Sequence, residues 1–104
     1  MKILYYPINE FGAEALNENW FAQGDGIEKA ILPEEEFATM EFDVFRWAFD
    51  KFDIDIDDYE DDVIPLEYID DFLVRIEELK LNVPVFVKAL KSAKNWGSIV
   101  HCLF

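Results

Sequence analysis

One cysteine, one histidine and nine Lys and Arg stand against 23 Asp and Glu in this chain of 104 residues, and each shortage removes a class of function. A single thiol, Cys102, excludes a disulfide within the chain. One His and one Cys do not make the spaced ligand set of a transition-metal site, so no metal and no cofactor is expected. With a net charge of -14 and a pI near 4.2, the chain repels phosphates that a nucleic-acid binder must neutralise with Lys and Arg. Direct contact with DNA, RNA or an anionic membrane surface is therefore not expected. Apolar runs reach only about five residues where about 20 are needed to span a bilayer. Residues 1–7 carry neither a signal-type apolar region of roughly 7–15 residues nor a small-residue cleavage site, which points to the cytoplasm. Glycine is scarce too, and Gly24-Asp25-Gly26 has neither the downstream glycine nor the lysine of a phosphate-binding loop.

What the chain has in excess is apolar and aromatic material, at 52% hydrophobic and 16% aromatic, far too much for a disordered acidic tail. A chain of this length buries roughly 65% of its unfolded surface, enough for one core without staples. Lys2-Ile3-Leu4-Tyr5-Tyr6 reads as a strand stopped by Pro7, and residues 10–20 lean helical until Gly24-Asp25-Gly26 breaks the chain. Residues 27–32 suit a strand or the approach to a helix. Pro33 at the first helical position, followed by Glu34, Glu35 and Glu36 on the helix dipole, opens a helix whose apolar stripe is Phe37, Met40, Val44, Phe45, Ala48, Phe49 and Phe52. Phe42 and Trp47 fall off that stripe, so this helix either packs on two sides or shows aromatics to a partner.

Pro65 starts a second such helix with Leu66, Ile69, Phe72, Leu73, Ile76 and Leu79 inward. Pro84 starts a third with Val87, Leu90 and Ala93 inward and Gly97 as its stop. The apolar run 98–104 has strand length and should pair with the first strand. The reading is a single α+β domain over residues 1–104, with N- and C-terminal strands at 2–6 and 98–104 in a sheet packed against about three helices near 33–52, 65–80 and 84–96. The aromatic excess suits a homodimer as well as a core, which leaves the oligomeric state open.

Familiar chemistry fails residue by residue. His101 and Cys102 are neighbours on a strand, so they point to opposite faces and form no nucleophile–base pair; both read as structural, and no enzyme is expected. Asp53-Ile54-Asp55-Ile56-Asp57 opens like a calcium-binding EF-hand loop. Asp58 then stands where a glycine is needed and Ile64 where a bidentate Glu is needed, so the match fails. Carboxylate pairs for glycoside hydrolysis carry no signal among 23 acids.

The distribution of charge is more informative. Residues 1–33 carry -3, residues 34–78 carry -15 and residues 79–104 carry +4. Seven of the ten residues 53–62 are acidic, a block that resists regular structure and should be a solvated loop anchored by Ile54, Ile56 and Tyr59. A solubilising skin is the plain explanation of such a face. Its concentration in one region, its excess over what solubility needs, and the aromatics Trp47, Tyr59 and Tyr68 among it favour a basic macromolecular partner instead, which relieves the self-repulsion.

With Asp53-Ile54-Asp55-Ile56-Asp57-Asp58-Tyr59-Glu60-Asp61-Asp62 followed by the acidic helix from Glu67 to Glu78, the chain resembles the small acidic immunity proteins of bacterial toxin and immunity pairs. It is most like those of contact-dependent growth inhibition systems. The resemblance lies in size, α/β character and charge over the whole chain rather than in a motif. It implies a stoichiometric inhibitor that covers the substrate-binding surface of a basic toxin, a nuclease domain, in the cytoplasm. On that reading Asp53, Asp55, Asp57, Asp58, Glu60, Asp61 and Asp62 occupy phosphate-like positions; Glu67, Asp70 and Asp71 extend the patch along the helix; Tyr59 and Tyr68 anchor it. The runner-up is a DNA mimic that inhibits a DNA-processing enzyme, which would spread its carboxylates over a longer surface. A third reading is an adaptor whose acidic face only keeps it soluble.

Overall fold

The computed structural model describes residues 1–57 and 60–104. Its frame is a four-stranded antiparallel sheet in the order β2-β1-β4-β3, formed by β1 (Lys2–Pro7), β2 (Ile27–Leu32), β3 (Asp61–Ile64) and β4 (Val100–Leu103). The two ends of the chain meet as the sequence predicts: Leu4 lies opposite Cys102, and Tyr5 opposite His101. Residues 27–32 resolve as a strand, with Leu4 opposite Ala30. Side chains alternate across the pleat, so Leu4, Tyr6, Leu32, Ile64, Val100 and Cys102 enter the core. Tyr5 and His101 take the other face.

The acidic stretch is not all loop, which corrects the reading of residues 53–62. Asp61 and Asp62 begin β3, in register with Leu103 and Cys102. Two forces outweigh the repulsion between like charges. Ile54 and Ile56 are buried in the core and pin the segment from below, and Asp61 finds an imidazole on the neighbouring strand. The anchoring assigned to Tyr59 lies outside the described residues.

The aromatic helix is continuous but irregular. It runs as α2 (Glu34–Met40), a π-helical turn (Glu41–Arg46) and α3 (Trp47–Phe52), and ends at Asp53 in the left-handed conformation. Pro33 stands just before it as the cap rather than inside its first turn. Met40, Val44, Phe45 and Ala48 are buried as the stripe predicts, but Phe49 is 45% exposed. A one-residue step of about 100° carries it past buried Ala48 to the edge of the stripe. The two off-stripe aromatics take different places. Trp47 packs edge-on against Phe52 and Phe72, whereas Phe42 is 71% exposed.

After Pro65 a single tight turn (Leu66–Tyr68) leads into α4 (Ile69–Glu78). Ile69, Phe72 and Ile76 are buried; Leu66 and Leu79, expected inward, overhang the core at the two ends and are exposed. α5 (Pro84–Trp96) begins with its proline and stops at Gly97 at φ +73, as the sequence predicts, and buries Phe86, Ala89, Leu90 and Ala93. It packs against β1, β2, β4, α4 and α1 (Glu10–Glu18).

Two contacts fix this arrangement. Glu36 is buried, and its carboxylate accepts the backbone N–H groups of Val85 and Phe86 at 3.3 and 3.2 Å. Those are the first donors of α5, since Pro84 has none, so a side chain of α2 caps α5 across the core. Of the three glutamates expected to serve their own helix, this one serves another. The second contact is a backbone approach. A Cβ on Gly12 would lie 1.8 Å from the carbonyl oxygen of Gly26, which also accepts the N–H of Ile8.

Replacing Glu36 with Ala strands two donors at a buried helix end and is expected to cost about 2–4 kcal/mol, read as a lower urea midpoint at unchanged m-value. Gly12→Ala has no side-chain rearrangement that relieves its clash with backbone and is expected to lose at least about 2 kcal/mol in the same measurement.

Candidate functional site

Exposed aromatics and carboxylates meet in a concavity on the described surface. A cleft of about 460 Å³ lies between the aromatic helix, which lines it with Phe37, Glu41, Phe42, Phe45, Arg46 and Phe49, and the acidic segment, which lines it with Asp55, Ile56 and Asp57. The buried residues Val44, Phe45, Ile54 and Ile56 hold the two walls together through the core. The left-handed turn at Asp53, whose N–H bonds to the carbonyl of Phe49, folds the acidic segment back along the helix that precedes it.

Asp55 and Asp57, which line this cleft, bring carboxylate oxygens within 4.8 Å of one another and of Glu60, all three residues being exposed. Crowding disfavours the ionised form of Asp55. A hydrogen bond with the Asp57 carboxylate, then slight desolvation and the negative charges of Asp57, Glu60 and Asp62, push the Asp55 carboxyl up to about 6. Asp62 is also raised, first by burial, although the backbone N–H of Asp57 bonds to its carboxylate at 3.1 Å and works the other way. No ion pair within the described residues engages Asp55, Asp57 or Glu60.

The acids that the sequence reading put in one belt are used unequally. Asp53 closes α3. Asp61 is bound to His101 Nε2 at 2.8 Å. Asp58 and Tyr59 lie outside the described residues. Glu67 is exposed on the tight turn before α4. Asp70 is ion-paired with Lys94 at 2.7 Å, and Asp70 and Asp71 line a different groove, shared with Trp47, Lys51 and Arg75. Tyr68 lays its ring on Phe52, centroids 4.6 Å apart, and so contributes partly to the packing of α3.

Of the exposed residues lining the cleft, Asp55 and Asp57 belong to the site read from the sequence and Phe42 stands out there as an off-stripe aromatic, whereas Glu41, Arg46 and Phe49 carry no such reading. Nothing in the pattern marks Phe49, which fits the stripe.

The hydroxyls of Thr39, Ser92 and Ser98 donate to the backbone carbonyls of Glu35, Pro7 and Ile99. The Cys102 thiol is fully buried, and burial followed by the charge of Asp62 pushes its ionisation far up. His101, 2% exposed, is stacked on Tyr5 and met edge-on by Trp20 and Phe21; its Nδ1 has no partner among the described residues. It ties β3 to β4.

No described helix is long and apolar enough to cross a membrane. Comparison with protein-family models, with curated proteins and with solved structures finds no match to this chain.

A carboxyl whose ionisation is raised on folding binds its proton more tightly in the folded state, so stability falls as pH rises through the window from about 4 to 6. Removing that charge is expected to help only above the window. Asp55→Asn should raise Tm at pH 7 by about 1–3 °C, the range of a modest surface substitution in a domain of this size. At pH 3.5 the two proteins should melt together.

Proposed function

We propose that this chain is an immunity protein, which binds a cationic toxin in the cytoplasm and neutralises it by covering its substrate-binding surface, the toxin being a nuclease domain. The chain acts by stoichiometric binding rather than by turnover. The observation that carries this reading is the cluster of Asp55, Asp57 and Glu60, exposed carboxylates held close together on a segment pinned by Ile54 and Ile56. Such crowding opposes folding, and it is relieved when positive charge arrives. A nuclease surface is positive because it holds phosphates, and an acidic surface meets it as a phosphate mimic.

The compactness of the cluster, three carboxylates of which two line a cleft, suits a plug in a cleft better than a copy of a duplex backbone. Opposed charge steers such an encounter towards ~10⁸ M⁻¹s⁻¹ at low salt, which is what an inhibitor needs to reach a toxin before the toxin reaches nucleic acid.

The test is affinity purification of the tagged chain from its own cells at low and moderate salt. One basic polypeptide at near-equal stoichiometry, toxic when expressed alone and harmless when co-expressed with this chain, is the expected result. Capture of a DNA-processing enzyme, or of nothing specific, would overturn the reading. The triple variant Asp55→Lys, Asp57→Lys, Glu60→Lys should keep its circular dichroism spectrum and lose about 10²–10⁴-fold in affinity for the captured toxin.

A further inference from the structure

We infer that the cleft between the aromatic helix and the acidic segment is the seat of an arginine side chain presented by the basic partner; this deepens the proposed function and rests on it for the partner's charge. The phenyl rings of Phe42 and Phe49 stand exposed one heptad apart on the same helix, and Glu41, Asp55 and Asp57 share the cleft with them. An occupant must satisfy both kinds of wall.

A purely apolar segment would cover the rings but strip water from the carboxylates with nothing in exchange. A metal ion would meet the carboxylates and leave the rings wet, and an ammonium, which sits over a ring as Lys2 does over Phe37, pairs with carboxylates only as a point charge without a planar fork. A guanidinium does both: its plane stacks on an aromatic face while its fork of N–H donors reaches carboxylates in pairs. Arg46, which also lines the cleft, leaves the carboxylates of the acidic wall unpaired among the described residues, since its guanidinium pairs instead with Asp50, Nε 3.5 Å from the carboxylate. A second copy of this chain, at -14, is repelled by the same surface.

The two parts of the surface then divide the work of binding. Asp55, Asp57 and Glu60 attract the partner at a distance, and the Phe42–Phe49 cleft retains it, as buried anchors do in tight interfaces.

The test is a titration of the ¹⁵N-labelled full chain, followed by amide chemical shifts, with three probes: N-acetyl-arginine amide, N-acetyl-lysine amide and N-acetyl-citrulline amide, the neutral isostere. The arginine probe should move the amides of Glu41, Phe42, Phe49, Asp55 and Asp57 and bind about 3–10-fold more tightly than the lysine probe. The citrulline probe should move none of them. Phe42→Ala and Phe49→Ala, made singly at exposed positions, should abolish these local shifts and leave the rest of the spectrum in place; Phe49→Leu guards against loss of packing and should abolish them too. Equal, diffuse shifts with arginine and lysine, or shifts unchanged in both alanine variants, would overturn the inference.

The outcomes separate from those of the parent proposal. If the triple lysine variant loses the captured toxin while the arginine probe finds no cleft, the arginine seat is wrong and the immunity reading stands. If the probe seats as described but no basic toxin is captured, the reading fails and the seat remains.

Discussion

The buried carboxylate of Glu36 is the contact on which the rest of the structure hangs. It lies on α2, reaches across the core and closes the N-terminus of α5, where Val85 and Phe86 offer donors that no turn of their own helix can satisfy. α5 is the helix against which β1, β2, β4, α1 and α4 all pack. Because α2 runs without a break into the π-helical turn and α3, the same contact fixes where Phe42 and Phe49 stand relative to the sheet. An acidic group so placed costs desolvation, and it is retained because its partners are two oriented amides and the positive end of a helix dipole.

The acidic segment is held to this frame by few means. Ile54 and Ile56 supply apolar burial, Asp53 turns the chain, and Asp61 binds the imidazole of His101 beneath the rings of Trp20 and Phe21. These anchors leave Asp55, Asp57 and Glu60 facing outward. The alternation of acid and isoleucine from residue 53 to 57 thus has a physical meaning: every second side chain is a nail, and every other one is displayed.

Much of this was legible beforehand. Strands at both ends, three proline-initiated helical segments and the pairing of the termini follow from period, caps and breakers, and the structure matches them. Asp61 and Asp62 were lost to the loop because a run of acids argues against a strand unless a partner such as His101 is known to lie beside it. Glu36 was assigned to its own helix because nothing local says that a different helix lacks donors' partners nearby in space. Phe49 could not be separated from the core by periodicity, since it sits one step from Ala48 and only the shape of the surrounding core decides which of the two is covered. The acidic block was visible as composition; the cleft was not, because it is formed by two segments that meet only after folding.

Charge and apolar surface usually exclude one another at an exposed site, since each disfavours what the other attracts. Here they adjoin: three carboxylates close enough to push Asp55 to about 6, and two phenyl rings left in water beside them. Neither arrangement stabilises the isolated domain. Phe45, Phe72 and Phe86 turn into the core, whereas Phe42 and Phe49, like Phe11 and Phe21 elsewhere on the surface, stay in water. The two costs share one remedy, a cation with a flat face, and they coincide in one cleft.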